Sequence, residues 1–417
     1  IMKNEKMIIY QVLPRLFGND NTNRLKNGTL EENGSGKFSD FTLRCLQAIK
    51  KLGVTHVWFT GILEHATATA YADVPASAVA ITKGIAGSPY AVRDYYDVDA
   101  DLAENTALRM DEFESLVKRT HQADLDVIID FVPNHVARVY HSDMKPIGVK
   151  DFGETDRCDW HFSPQNNFYY FPNTPFSPQF QLSDYEEFPA KATGNDCFSA
   201  SPSSNDWYET VKLNYGVDYL GSSAQYFDPL PNTWLKMRDI LIYWAEKGVD
   251  GFRCDMAEMV PVAFWHWVIA ELKKRFSKLI FIAEVYNPSL YRSYIKYGGF
   301  DYLYDKVGLY DTLRGVMCGY TSASEITKAW QVVGDIQNNM LSFLENHDEQ
   351  RIASEFFANN SLKGIPAMMV ATLLTTSPTM CYFAQELGER GMDEEGFSGR
   401  DGRTTIFDYW SIDKVIR

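Results

Sequence analysis

Residues 234–255 read WLKMRDILIYWAEKGVDGFRCD, and this stretch decides the fold class. Trp234, Met237, Leu241 and Trp244 recur at helical spacing, Gly248 stops the helix, and Val249–Asp255 is an apolar run ending in charge. Helix, short turn and apolar strand, in that order, form the unit of a parallel sheet covered by helices. The unit recurs. Upstream, Phe41, Cys45, Leu46, Ile49 and Leu52 lead through Gly53 to Val54–Thr60, and Phe113, Leu116, Val117 and Thr120 lead to Val127–Val132. Downstream, Phe264, Trp267, Val268 and Leu272 precede Leu279–Glu284. Met7–Leu13, Tyr302–Tyr304, Met340–Leu344 and Thr379–Phe383 supply further strands, about eight in all. That number predicts an α/β fold, a closed (β/α)8 TIM barrel. A doubly wound sheet would carry a glycine-rich phosphate loop after an early strand, and none is visible.

The repeat is interrupted between Val132 and Val249, where far more residues lie than one helix needs. Residues 136–215 are rich in Pro, Asn, Ser, Asp and aromatics, as in Phe168-Tyr169-Tyr170-Phe171-Pro172, too aromatic for a flexible linker. The expected layout is therefore a first barrel part over 1–135, a small domain inserted after the third strand over 136–215, and a second barrel part over 216–417. Residues 61–105 form a shorter excursion. Little sequence follows the last strand, so the carboxyl end reads as irregular or incomplete, with no carboxyl-terminal β-domain seen. Aromatics clustered over 160–227 serve either as platforms for sugar faces or as the core of the insert.

Bulk properties narrow the function. With 40 Lys and Arg against 55 Asp and Glu, the formal net charge is −15, which repels phosphate backbones and argues against nucleic acid as a partner. No window approaches the roughly 18 apolar residues that a membrane span requires. The six cysteines show no metal-binding spacing; Cys254 and Cys381 read as buried thiols, while Cys158 and Cys197 could pair in an oxidising compartment. Nothing at the amino terminus resembles a signal peptide, and the compartment stays open between cytoplasm, periplasm and exterior.

Four apolar runs end in polar residues, where barrel active sites form: Asp130-Phe131-Val132-Pro133-Asn134-His135, Gly251–Asp255, Phe281–Glu284, and Phe343-Leu344-Glu345-Asn346-His347-Asp348. Glycoside hydrolysis needs one carboxyl group to protonate the leaving oxygen and a second on the other face of the sugar. Alternation along a strand puts Arg253 and Asp255 on one side, where the guanidinium favours an ionised nucleophile. Glu284, desolvated and close to that charge, is expected to keep a raised pKa suited to a general acid. His135 and His347 would bond sugar hydroxyls. For retention, the carboxyls of Asp255 and Glu284 should lie roughly 5–5.5 Å apart.

These four segments, in this order, resemble the α-amylase family, glycoside hydrolase family 13, along the whole chain. Ile9-Tyr10-Gln11-Val12-Leu13-Pro14-Arg15, Gly53–Thr60 and Tyr90–Tyr96 add to the likeness, and Lys212-Leu213-Asn214 resembles a motif of cyclomaltodextrinase-like and neopullulanase-like members. The resemblance implies Asp255 as nucleophile, Glu284 as acid/base and Asp348 as the third carboxylate. It implies Arg253 orienting Asp255, His135 and His347 on the hydroxyls of the cleaved sugar, and Tyr90 as its stacking platform. Asp130 would be structural, and Asn134 a calcium ligand or a support for the insert. Many members carry Lys-His three and four residues beyond the nucleophile, the histidine carbonyl binding calcium in several. Here those positions hold Glu258 and Met259. This puts endo-acting starch cleavage and any calcium requirement in doubt, and no other cofactor is implied. Asp20-Asn21-Thr22-Asn23 reads as a polar turn more than as a metal loop. The implied activity is retaining hydrolysis of α-1,4 and α-1,6 bonds in maltooligosaccharides or starch-derived glucans. Transglycosylation through the same intermediate is the alternative, and a silent sugar-binding barrel is disfavoured because all three carboxylates are present.

Overall fold

A computed structural model describes residues 6–391 and 397–416. Eight parallel strands form one sheet: β1 (Ile8–Val12), β2 (His56–Phe59), β3 (Asp126–Phe131), β4 (Gly251–Cys254), β5 (Ile280–Ala283), β6 (Tyr302–Tyr304), β7 (Met340–Leu341) and β8 (Thr379–Tyr382). Neighbours follow chain order from β1 to β7, with β8 beside β1. A parallel bridge between Ser342 and Thr379 closes the ring. This is the barrel expected, and closure excludes the open sheet. Most strands are shorter than their apolar runs, because the last residues of the run leave the ladder to build the rim.

Alternation sorts the strand residues into two layers. Ile9, Trp58, Ile128, Ile282, Tyr304, Leu341 and Met380 pack together inside the barrel, while Val57, Val127, Ile129, Phe252, Phe281 and Leu303 face the helices. One step up the strands, the inward positions turn polar: Gln11, Thr60, Asp130 and Arg253 are all buried. Their bonds run between neighbouring strands, from Gln11 Nε2 to Thr60 Oγ1 at 2.9 Å and from Trp58 Nε1 to Asp130 Oδ2 at 3.0 Å. A buried polar layer of this kind is sustainable because its donors meet acceptors.

The outer layer includes α1 (Leu43–Lys51), α2 (Arg109–Gln122), α3 (Asn232–Glu246) and α4 (Val262–Arg275). Thr42 caps α1 by accepting the Cys45 N–H at 3.2 Å. Gly248, at φ +92°, turns α3 into β4, and a Cβ there would sit 3.3 Å from Val117 Cγ1. In α4 the buried face is Phe264, Trp265, Val268, Ile269 and Leu272. Trp267, expected in the core, instead flanks it against Trp234 at 5.7 Å. Two apolar stripes one position apart fit the same spacing, and only the neighbouring helix decides between them.

Both excursions return to the barrel through antiparallel ribbons. Leu63–His65 pairs with Val92–Val98, and His135–Ala137 pairs with Thr210–Lys212, with His135 opposite Lys212. Ile81 from the first packs with Phe176 and Ala190 from the second. Part of the aromatic cluster serves as core: Phe168, Tyr169, Tyr170, Phe176, Tyr208 and Tyr215 are buried, and Tyr169 is enclosed by Phe162, Phe198 and Tyr219. Near the carboxyl end, Tyr409 Oη donates to Asp101 Oδ2 at 2.7 Å and the Trp410 carbonyl accepts from Asn19. The polar turn at 20–23 is self-satisfied, the Asn19 and Asn21 side-chain oxygens accepting the N–H groups of Asn21 and Asn23. All six cysteines are free thiols, Cys158 and Cys197 included; Cys254 is buried and Cys381 partly so.

Candidate active site

A cleft of about 600 Å³ opens at the carboxyl ends of the strands. Tyr90, His135, Asp255, Glu284 and Asp348 line it. Five of the seven residues singled out in the sequence therefore share one cleft. The other two, Arg253 and His347, are buried beneath it. They meet the cleft through other side chains and not through its surface.

Arg253 organises the floor. Its Nη1 lies 2.8 Å from Asp255 Oδ1, its Nη2 2.9 Å from Glu284 Oε2, and its Nε donates to Tyr304 Oη at 3.1 Å. One planar cation thus bridges the two carboxyl groups, which a point-charge ammonium could not do with the same geometry. Asp130 lies under the guanidinium at 3.4 Å, accepts from Tyr90 Oη at 3.2 Å, and has its carboxyl pushed up by burial against the pull of Arg253. It is a floor residue, as expected.

The electrostatics of the pair differ from expectation. Burial first, then Glu284, drives the Asp255 carboxyl well above its ordinary range, and Arg253 offsets this only in part. Glu284 meanwhile collects donors: the Met256 N–H at 2.8 Å and the Tyr286 hydroxyl at 2.5 Å. The free site therefore favours a protonated Asp255. The sequence could place a guanidinium beside Asp255, but not reveal that Glu284 shares it.

Asp348 rises from the loop after β7, where the Asn346 side chain accepts the Asp348 N–H at 2.9 Å. Burial pushes its carboxyl up, but His347 and then Arg253 outweigh that and hold it at about 2. His347 Nδ1 faces Gln11 Nε2 at 2.9 Å. The ring's Nε2 reaches Tyr90 Oη at 2.7 Å and Asp348 Oδ2 at 3.0 Å. Tyr90 stacks on the His347 ring at 5.1 Å. His135 is neutral over the working range, burial and Lys212 pushing it down to about 3. Gly194 lies against it, and a Cβ there would come within 3.0 Å of the His135 Cβ.

Other lining residues escaped sequence reading. Met256, directly after Asp255, holds a left-handed φ of 41°, strain of a kind that concentrates at functional sites. Lys83 Nζ and Glu209 Oε1 pair at 3.0 Å along one wall, joined by Trp207, whose ring lies 5.3 Å from His135. Only Trp207 carried a signal, its place in the aromatic cluster.

Calcium was the one metal that the resemblance raised, with Asn134 and the carbonyl at position 259 as ligands. Both oxygens face the Lys212 ammonium, as does Asp196. These residues do not fit the ion, because a cation of the chain's own stands among them. Elsewhere, His121, Asp126 and Asp250 place potential ligand atoms within 4.8 Å of one another at the opposite end of the barrel. There His121 Nε2 is bonded to Asp250 Oδ2 at 2.7 Å, and Asp250 also accepts the Val127 N–H at 2.8 Å.

Carboxylates gathered at the mouth of a (β/α)8 barrel define a barrel glycosidase. The profile of the alpha-amylase catalytic domain matches residues 11–271, and the chain belongs to that family. It is 23% identical to Alpha-amylase 3 of Dictyoglomus thermophilum, covering 97% of this chain and 70% of that one. It is also 23% identical to Alpha-amylase MalA of Haloarcula japonica, of which it spans 45%. Among solved structures, an alpha-amylase from Lactobacillus plantarum superposes with a TM-score of 0.61 at 20% identity, covering 97% of this chain and 75% of its own. The chain thus spans between about half and three quarters of these relatives. No helix among the described residues is long and apolar enough to cross a membrane.

Proposed function

We propose that this enzyme hydrolyses α-glucosidic bonds of maltooligosaccharides or starch-derived glucans with retention of configuration. The observation that carries this reading is the bridging of Asp255 and Glu284 by one guanidinium, with Asp348 in the same cleft. Two carboxyls held that close suit a double displacement, which leaves no room for a water between nucleophile and sugar.

In the first step Asp255 attacks the anomeric carbon. The bond to the leaving oxygen breaks, and that oxygen takes the proton of Glu284. A glycosidic oxygen accepting a hydrogen bond from Glu284 draws the pair's proton onto it and leaves Asp255 ionised beside Arg253. In the second step Glu284, now a carboxylate, takes a proton from water; the hydroxide attacks the anomeric carbon and frees Asp255. Asp348, anionic at ordinary pH, stabilises the positive charge that develops on the ring. Neutral His135 offers a hydrogen bond without adding charge. The Lys83–Glu209 pair and Trp207 would contact the sugar beyond the cleaved one.

The test is a panel of maltooligosaccharides, pullulan, cyclodextrins and starch, with the first-formed anomer read by NMR. The α-anomer is expected first, and the β-anomer appearing first would exclude the double displacement. Products longer than the substrate at high concentration would assign the acceptor as sugar. Asp255→Asn is expected to lower turnover by several orders of magnitude while remaining folded; activity within about tenfold of the parent would remove its role.

A further inference from the structure

The Lys212 side chain is 2% exposed, and its amine ends among three oxygens from three separate parts of the chain. Asn134 Oδ1 comes from the departure of the long excursion, Asp196 Oδ1 at 2.7 Å from within it, and the Met259 carbonyl at 3.2 Å from the loop after the nucleophile. An ammonium has three N–H bonds and accepts none, so three acceptors satisfy it completely. Its one positive charge also balances the one carboxylate of the set. Calcium takes six to eight oxygens at roughly 2.3–2.6 Å; beside the ammonium it has neither room nor ligands, and only with the amine gone would the three oxygens be free, with water from the half-exposed Asp196 side completing the shell.

We propose that Lys212 is a built-in structural cation: its ammonium occupies the place of a metal ion and ties the excursion to the loop that carries Asp255. The ribbon explains how it gets there. Lys212 pairs with His135, the neighbour of Asn134, so its stem enters the junction alongside the oxygens it binds. Lys212 is accordingly a positioning residue. Two consequences follow. The parent enzyme is indifferent to calcium, and truncating the lysine leaves three converging oxygens around a void, a latent site for a divalent cation.

The experiment measures thermal melting and bound calcium for the full chain with chelator, without it, and with millimolar calcium. The parent is expected to melt at one temperature in all three conditions and to hold no stoichiometric calcium after dialysis against chelator. Lys212→Ala is expected to melt several degrees lower and to recover part of the loss with calcium. Lys212→Met, which fills the void without charge, should melt low and recover nothing. A parent that melts earlier with chelator, or that retains one calcium per chain, would overturn the proposal; this arm decides it even where a variant does not fold. Lys212→Ala melting with the parent, or failing to respond to calcium, would overturn it as well. None of these readouts depends on the assignment of the reaction.

Discussion

Removing the Arg253 guanidinium should damage ionisation and folding together, by amounts that can be worked out. Its Nη1 donates to Asp255 at 2.8 Å inside a fully buried site. A hydrogen bond to a charged group contributes about 1.5–3 kcal/mol, and one pKa unit corresponds to about 1.4 kcal/mol. Arg253→Met should therefore raise the Asp255 carboxyl further. On the proposed mechanism Asp255 must be ionised to attack, so the acid limb of kcat/KM should move to higher pH in proportion to the bond energy lost. Three carboxylates also lose their shared cation, and breaking a buried ion pair on one side costs about 3–5 kcal/mol of stability. Arg253→Lys keeps the charge but not the bridge, so it should recover much of the stability and less of the rate. The assay is the pH profile of kcat/KM on a chromogenic aryl α-maltooligosaccharide, with urea unfolding in parallel. An acid limb unmoved in Arg253→Met, in a protein as stable as the parent, would refute the assigned role of the guanidinium.

Further tests probe other parts of the molecule. In the parent enzyme the acid limb itself should lie above the ordinary carboxylate range, since burial and Glu284 raise Asp255; a midpoint below about 4 would contradict this. Glu284→Gln should slow substrates with poor leaving groups far more than activated aryl glycosides, and an equal loss on both would argue against proton donation. Trp207→Ala removes a cleft wall and should raise KM about five- to thirtyfold, the equivalent of roughly 1–2 kcal/mol, with little change in kcat; an unchanged KM would place Trp207 outside the substrate's reach. Burial raises Asp305 to about 6, so the folded state holds a proton that the unfolded chain, near 3.9, releases. The folded state is favoured below about pH 4, and that advantage disappears as pH rises through about 6, a change of about 3 kcal/mol. Asp305→Asn keeps the acceptor for the Leu309 N–H and should show a flatter stability profile across that window; parallel profiles would count against the shift.

The barrel was legible because its signal is local: each apolar stripe, its stop and the following strand lie within about thirty residues. The three carboxylates were legible for the same reason, Asp255 and Glu284 closing apolar runs and Asp348 following one by four residues. Alternation gave the parity of Arg253 and Asp255, and both do turn inward. It gave no depth, so His347, expected on a sugar hydroxyl, lies beneath the cleft, as does Arg253 beside Asp255. Contacts far apart in sequence were invisible. Lys212 meets Asn134 across 78 residues, and Lys83 meets Glu209, with no periodicity to announce either. The aromatic cluster was ambiguous between platform and core; enclosure by other rings makes Tyr169 core, while Trp207 lines the cleft.

The three-residue span Asp255-Met256-Ala257 grips Glu284 through its main chain. Met256 donates its N–H to the Glu284 carboxylate at 2.8 Å, and Ala257 donates its own to the Glu284 carbonyl at 3.0 Å. Left-handed Met256 sits between these two anchors. The gap between Asp255 and Glu284 is thereby written into peptide geometry more than into rotamers. On the proposed mechanism that gap sets the stereochemical course, so side-chain substitutions at Glu258 or Met259 leave the course as it is.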